Sequence, residues 1–146
     1  MWNDAKERFV RAKRPPKDAR LAEALEKQLR IRLAGVQDRQ KLFKFHREAY
    51  ETEPEIWIEG ELNFRGIRAG LGRWTPADYP NSFVVVAELN KKIVGLLLLV
   101  IYYRSVDGRP SAQVKDLFVL KSFRGYKVAT RLLEFAKKLS REGSLC

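Results

Sequence analysis

Three apolar segments follow one another between residues 83 and 119, and only tight turns separate them. They span residues 83–89, 93–103 and 112–119. Asn90-Lys91-Lys92 joins the first two segments, and Asp107-Gly108 lies in the second connection. Such residues between apolar runs are typical of β-hairpins. Segments joined this closely pair as antiparallel strands, since a parallel pair needs a crossover of a dozen or more residues. The three segments therefore predict a largely antiparallel sheet.

Helical patterns flank these strands. We expect helices at residues 37–50, 61–71 and 126–141, and a short strand at residues 31–36. The resulting order, β-α-α-β-β-β-α, predicts an α/β (α+β) fold with a mixed, mostly antiparallel sheet. Two further helices are expected at residues 4–14 and 17–30, broken at Pro15-Pro16. We therefore divide the chain into a basic helical extension, 1–30, and one domain, 31–146.

The composition excludes several classes of protein. The longest apolar run, residues 93–103, has eleven residues, against the roughly 20 needed to span a bilayer. The N-terminus is charged from Asp4 onward and lacks the apolar core of a signal peptide. One cysteine and one histidine rule out an intramolecular disulfide and argue against a metal site. These features predict a cytoplasmic protein without a membrane partner.

The charge of the chain is unevenly distributed. Of the net charge of +11, residues 91–146 contribute 12 cations and 4 anions, whereas residues 51–61 contain five glutamates. A basic surface attracts nucleic acid, an anionic membrane or a polyphosphate ligand, and charge alone does not choose among them. The glutamates are either a solvated acidic loop or a funnel for a cationic amine.

The stretch DLFVLKSFRGYKVATRLL, residues 116–133, reads as a strand that enters a basic turn and then a helix. The start of a helix has free N–H groups and the positive end of the helix dipole, so it is a natural anion site. Arg124 and Lys127 add positive charge there, and Gly125 permits close backbone approach. The alternative is an ordinary solvated turn; we favour an anion site because strand, loop and helix all agree.

This stretch resembles the pyrophosphate loop of the GNAT acetyltransferase superfamily, which reads Arg/Gln-x-x-Gly-x-Gly/Ala after an aliphatic-aromatic-Val strand end. The sequence departs at Lys127, where the family usually has glycine; the lysine either crowds the phosphate or adds a cation to it. The resemblance covers about residues 31–146. The matching residues are Leu117-Phe118-Val119, then Arg124, Gly125, Val128 and Ala129.

The resemblance implies acetyl-CoA as cofactor and transfer of an acetyl group to an amine. It implies that the strand-end backbone pairs with the pantetheine arm and that the loop holds the pyrophosphate. The implied cofactor-binding residues are Leu117, Phe118, Val119, Arg124, Gly125, Tyr126, Lys127, Val128, Ala129 and Thr130.

Within the superfamily the chain looks most like the spermidine/spermine and thialysine acetyltransferase branch. The similarity lies in the tyrosine pair at 102–103, the long hairpin loop and Asp116 just before the strand end. It implies a primary amine as acceptor, either a polyamine, a lysine-like amine or a small amine. Asp116 is either a surface or capping carboxylate or a catalytic base, and we carry it as the candidate catalytic residue. We assign Glu51, Glu53 and Glu55 to amine binding. That branch commonly has a glutamate at the position that Lys115 occupies here.

The family's last strands and its acid tyrosine would follow residue 146, so we expect a domain truncated after the helix of the pyrophosphate loop. Three readings remain open: an enzyme completed by a second copy or another chain, a non-catalytic CoA-binding or interaction module, and a basic nucleic-acid-binding domain. No recognisable nucleic-acid motif supports the third reading.

Overall fold

The antiparallel sheet expected from residues 83–119 forms, and a strand near residue 30 extends it. The computed structural model describes residues 18–54 and 81–141. Their strands lie in the order β1-β2-β3-β4, and every neighbouring pair is antiparallel. The predicted fold class is therefore confirmed. The strands are β1 (Arg30–Leu33), β2 (Ser82–Leu89), β3 (Lys92–Tyr103) and β4 (Pro110–Val119).

Three α-helices accompany the sheet in the described residues. They are α1 (Ala19–Gln28), α2 (Arg39–Thr52) and α3 (Val128–Arg141). Short 3₁₀ turns, Val36–Asp38 and Lys121–Phe123, precede α2 and follow β4. The strand expected at 31–36 already ends at Leu33. The helices expected at 4–14 and 61–71, together with Glu55, lie outside the described residues.

The turn between β2 and β3 is as tight as the sequence predicts. Leu89 pairs with Lys92, so only Asn90 and Lys91 form the loop. Both have positive φ angles, 50° and 67°, which is the backbone of a type I′ turn. This turn matches the right-handed twist of the two strands and fixes their register.

The two faces of the sheet carry different helices. A Cβ on Gly95 of β3 would lie 3.1 Å from Leu132 Cδ1 and 3.2 Å from Val128 Cγ1. The glycine therefore lets α3 pack directly on that face. Phe118 of β4 instead meets Phe45 of α2 edge-on, with ring centroids 6.0 Å apart. Its neighbour Val119 pairs with Gly95, and because side chains alternate along a strand, α2 and α3 cover opposite faces.

Helix α1 belongs to the same core as the sheet. Leu25 and Leu29 are 2% and 6% exposed and pack in the core cluster with the residues of α3 and the strands. The guanidinium of Arg131 donates to the carbonyls of Leu25 and Leu29, at 3.1 and 3.2 Å. The boundary we drew at residue 30 thus does not coincide with a break in the core.

A buried ion-pair network fixes β1 against β2 and the start of α2. Arg32 forms a bidentate pair with Asp38, at 2.7 and 2.8 Å, and reaches Glu88 at 2.8 Å. Lys41 also binds Glu88, at 2.9 Å. The bond from Arg32 is the main cause that holds the pKa of Asp38 below its usual value, and the bond from Lys41 is the main cause that lowers the pKa of Glu88. These carboxylates are structural partners of the basic residues around them.

Candidate cofactor loop and acceptor face

The loop between β4 and α3 has the backbone that an anion-binding loop requires. Gly125 and Lys127 have φ angles of 85° and 65°, in the left-handed region that glycine adopts most readily. This conformation explains why the related pattern has glycine at the position of Lys127. Here a lysine adopts the same backbone, and its side chain is exposed.

The first turn of α3 presents free N–H groups. The Arg131 N–H donates to the Lys127 carbonyl at 3.0 Å, so the amides of Val128, Ala129 and Thr130 precede the first full helical bond. Outside residues 124–126, no described atom lies within 4 Å of the position that a Cβ on Gly125 would take. The loop therefore offers donors beside open space, which fits an incoming phosphate group.

Arg124 does not point its charge into that space. Its Nη1 donates to Glu53 Oε2 at 2.8 Å, its Nη2 pairs with Glu53 Oε1, and its Nε donates to the Val119 carbonyl at 2.9 Å. The guanidinium also lies over the ring of Phe118, 5.1 Å from its centroid. We expected Arg124 to add a charge-assisted bond to the phosphate; in this structure its Nε, Nη1 and Nη2 each donate to a group of the protein.

The other expected cofactor-binding residues divide into backbone and side-chain roles. Val119 and Val128 are 7% and 1% exposed, so they can contribute to a ligand only through backbone groups. The hydroxyl of Tyr126 accepts a hydrogen bond from the Asp18 N–H at 2.8 Å. Its aromatic ring packs against the core. Leu117, Phe118 and Ala129 are half-buried, and Thr130 is exposed.

Asp116, the expected base, is exposed on β4 next to an irregularity in the sheet. It pairs with Leu98, whereas the next pair joins Leu99 to Val114, so Lys115 is an extra residue without an opposite partner. This is a β-bulge, which bends a strand and redirects its side chains. Because Asp116 and Phe118 are two residues apart, both lie on the face that α2 covers.

His46, the single histidine of the sequence, lies on α2, and the charge of Asp116 acts on it. Burial lowers its pKa below the usual value, and the charge of Asp116 opposes that change. The ring meets Phe45 at a centroid distance of 5.6 Å. Burial thus favours the neutral imidazole, and the edge contact with Phe45 makes His46 part of the packing of α2.

The three glutamates expected to bind an amine do not act as one group. Glu51 is exposed and binds Arg47 at 3.0 Å, one helical turn earlier. Glu53 is 6% exposed and is paired with Arg124, so it is no part of a solvated funnel. Glu55 lies outside the described residues. Sequence reasoning missed the pairing of Glu53, because no local signal connects two residues 71 positions apart.

Comparison with known proteins identifies the family to which this loop belongs. The Acetyltransferase (GNAT) family matches residues 40–145, which is most of the chain and includes β2 to α3. The chain belongs to the GNAT acetyltransferase family. Members of this family generally use acetyl-CoA, and the donors around Gly125 fit its pyrophosphate. No curated protein sequence matches the chain significantly.

Solved structures of several acetyltransferases share the fold. An aminoglycoside acetyltransferase from an uncultured soil metagenomic sample, in complex with sisomicin, is 21% identical with a TM-score of 0.62, covering 82% of this chain and 74% of that one. A GNAT family acetyltransferase of Staphylococcus aureus is 16% identical with a TM-score of 0.64, covering 79% of each chain. A ribosomal-protein-alanine N-acetyltransferase of Brucella melitensis is 16% identical with a TM-score of 0.58, covering 80% and 74%. At these identities the likeness concerns the fold alone.

Two further properties of the described residues bear on the site. None of the described helices has the length and apolar character needed to cross a membrane. Within residues 18–54 and 81–141, no three histidine, cysteine, aspartate or glutamate side chains lie together as a metal-binding group.

Proposed function

We propose that this GNAT protein is an acetyl-CoA-dependent N-acetyltransferase that acts on a primary amine. The observation that carries the proposal is the loop at Gly125. Its backbone turns through two positive-φ residues, opens onto free space and leads directly into the amides of α3. Family membership supplies the cofactor class, and this loop supplies a place for its phosphates.

In this proposal different residues of the chain bind different parts of the cofactor. The amides of Gly125 to Thr130 hold the pyrophosphate, and the exposed ammonium of Lys127 adds a cation. The backbone of Leu117 to Val119 lies at the edge of the described sheet, where it can pair with the pantetheine amides. Acetyl-CoA would supply an activated thioester, whose acetyl group passes to the amine while the C–S bond breaks and CoA leaves as a thiol after taking up a proton. A backbone N–H of the strand end would polarise the thioester carbonyl, because an oriented donor stabilises the negative charge that develops there.

The acceptor amine has to lose a proton before it can attack. A lysine-like ammonium has a pKa of about 10.4, so near neutrality a base or a water chain must take the proton. We assign this role to Asp116, which is exposed on β4 immediately before Leu117. Exposed Glu51 contributes negative charge on a protein that is otherwise strongly basic, which favours a cationic acceptor.

We infer the class of acceptor amine from the sequence resemblance to one branch of the superfamily, and not from the solved structures compared above. The exposed pair Tyr102 and Tyr103 at the end of β3 supports the spermidine/spermine and thialysine branch. A polyamine or a lysine-like amine is therefore the substrate class we propose. The cytoplasmic location remains a prediction from the single cysteine of the sequence.

A direct test separates cofactor binding from turnover. Calorimetry with CoA on the Gly125→Asp variant should show binding at least about tenfold weaker, because the new carboxylate faces the phosphates. Gly108→Asp is a matched control, since Gly108 also has a positive φ, 68°, and open space around its Cβ position, but lies in the β3–β4 hairpin loop.

The same experiment distinguishes the competing functions. Equal CoA affinities in the two aspartate variants would reject the placement of the cofactor. Unimpaired CoA binding with no acetyl transfer to a panel of polyamines, lysine and small amines would favour the non-catalytic module. Salt-dependent retention on DNA or RNA without CoA binding would favour the nucleic-acid-binding domain.

A further inference from the structure

Glu53 forms an ion pair with Arg124 to which the proposed reaction gives no role. Its side chain is 8% exposed, and it forms the C-cap of α2, on the face of the sheet opposite α3. A buried carboxylate needs a partner to offset its desolvation, and the partner here is Arg124, immediately before Gly125. The ion pair thus joins the C-terminal end of α2 to Arg124, which lies within the loop between β4 and α3.

The guanidinium of Arg124 also bridges two parts of the cofactor site. Its Nε bond to the Val119 carbonyl ties the loop back to the last residue of β4. Its position over Phe118 adds a cation–π contact at the same strand end. With all three anchors in place, the path of the chain from Val119 to Gly125 has little freedom. A planar fork with several donors can satisfy such anchors together, whereas an ammonium cannot.

A second contact holds the same segment against α2. Lys92 binds Glu48 of α2 at 2.9 Å, and its Nζ lies 5.9 Å from the centroid of the Phe123 ring. The residue next to Arg124 is therefore also placed against the helix. This contact is exposed and contributes little, which leaves the part-buried Glu53–Arg124 pair as the main connection.

We propose that Glu53 is a positioning residue of the acetyl-CoA site, which holds the phosphate loop in its binding shape through Arg124. The inference rests on the proposed function, because the ligand is the same. Arg124 acts as a spacer and not as a phosphate ligand. The negative charge of the cofactor is met by the backbone amides and Lys127, while Arg124 keeps those amides aimed outward.

Calorimetry with CoA tests this role on three variants of the full chain. Glu53→Gln removes the charge and keeps the shape, and it should weaken CoA binding about tenfold, the change that loss of one charged hydrogen bond corresponds to. Arg124→Lys should be weakened as much as Arg124→Ala, because lysine keeps the charge but lacks the fork. Glu23→Gln is the matched control, an exposed carboxylate in an ion pair with Lys27, and should bind CoA like the unmodified chain.

A double-variant cycle shows whether Glu53 acts through Arg124. In the Arg124→Ala background, Glu53→Gln should cause no further loss of CoA affinity. In acetylation assays Glu53→Gln should raise the KM for acetyl-CoA and leave the KM for the amine unchanged, a division that general destabilisation would not produce. If Arg124 instead binds phosphate, Glu53→Gln would release it, so that CoA affinity rises and depends more steeply on salt; that result overturns the proposal.

Hydrogen exchange of the unliganded protein decides the proposal independently of the cofactor. Amides 121–127 should exchange faster in Glu53→Gln than in the unmodified chain, while β3 amides should not change. Unaltered exchange of the loop would overturn the positioning role. Absence of CoA binding by the unmodified chain would instead reject the proposed function, and the exchange result would still decide whether Glu53 holds the loop.

Discussion

The hydroxyl of Tyr126 accepts a hydrogen bond from the backbone N–H of Asp18, 2.8 Å away and 108 residues earlier in the chain. Asp18 is the N-cap of α1, and its carboxylate in turn accepts from the Arg20 and Leu21 amides. At the other end of α1, Arg131 binds the Leu25 and Leu29 carbonyls. Residues of the cofactor loop and its helix thus hold both ends of α1.

Arg131 should contribute measurably to stability through those two carbonyls. Arg131→Met keeps the length of the side chain and removes both donors, so we expect the free energy of unfolding to fall by about 1–3 kcal/mol. Urea unfolding followed by circular dichroism measures this change. Lys137→Met is the control, since Lys137 is exposed on the same helix. Equal losses in the two variants would contradict the role of Arg131 as a cap of α1.

Substituting Lys127 by glycine should destabilise the protein less than substituting a residue in the interior of α3 by glycine. The Lys127 φ of 65° carries a left-handed penalty of about 1–2 kcal/mol for a residue with a Cβ, which exceeds the entropic cost of glycine, about 0.5–1 kcal/mol. Lys127→Gly should therefore raise the free energy of unfolding slightly. Lys137→Gly, in the helix interior, should lower it by about 1 kcal/mol. Thermal denaturation of both variants compares them, and a loss in Lys127→Gly as large as in Lys137→Gly would refute the strain argument.

Asp38 should make the fold sensitive to acid. Its pKa is lowered, chiefly by the hydrogen bond from Arg32. The ionised form therefore stabilises the folded state above the usual aspartate pKa of about 3.9, and this stability is lost as pH falls through the lowered pKa. Asp38→Asn should cost about 1–3 kcal/mol at pH 7, because Arg32 loses its charged bidentate partner and keeps only Glu88.

Urea titrations between neutral pH and about pH 2 test the sign of this dependence. The difference in stability between Asp38→Asn and the unmodified chain should shrink as the solution becomes acidic. Asp107→Asn is the control, since Arg104 also lowers the pKa of Asp107 but the pair lies on an exposed hairpin loop. A difference that stays constant across the titration would show that Asp38 acts by shape and not by charge.

Glu51 should influence the acceptor amine by long-range attraction. Reversal of the whole acidic group is no longer a clean test, because a lysine at residue 53 would face Arg124. Glu51→Lys alone also places a cation beside the exposed Arg47; it should raise the KM for a cationic amine, and more so at low salt, where screening is weak. The KM for acetyl-CoA should stay the same. An amine KM that is insensitive to Glu51→Lys at every salt concentration would point to a neutral or acidic acceptor.

Strand β4 should promote association of the chain. It is the outermost strand of the described sheet, most of its residues are exposed, and Val114 is 40% exposed. An unpaired edge is a template for another strand, and a lysine on it opposes pairing. Light scattering should show self-association of the unmodified chain and less of it in Val114→Lys. A monomeric chain that transfers acetyl groups at about 1 s⁻¹ or faster would contradict this view.

The parts of the fold that could be predicted are those with a local cause. The hairpins follow from turn residues such as Asn90 and Gly108 between apolar runs, and the cofactor loop follows from Gly125 between a strand and a helix. The pairing of β2 with β3 and of β3 with β4 then needs no distant information, whereas β1 pairs with a strand far along the chain, Leu33 opposite Val85. These signals lie within about ten residues of one another, which is the range over which turns and periodicity act.

The parts that could not be predicted depend on distant pairs. Nothing near Glu53 distinguishes it from Glu51, yet one is buried against Arg124 and the other is exposed on the helix. The roles of Tyr126 and Arg131 at the two ends of α1 are equally invisible in the sequence. Only the folded chain shows which of two similar charges has a buried partner.

The attachment of α1 to α3 also determines when the core around α1 can form during synthesis of the chain. Helix α1 leaves the ribosome early, but the arginine that binds its last carbonyls is made 106 residues after Leu25. Leu25 and Leu29 therefore have no finished core to enter until Arg131 has been synthesised, and such apolar surface is prone to aggregation. A nascent chain of this protein should be a client of ribosome-associated chaperones until residue 131 has emerged.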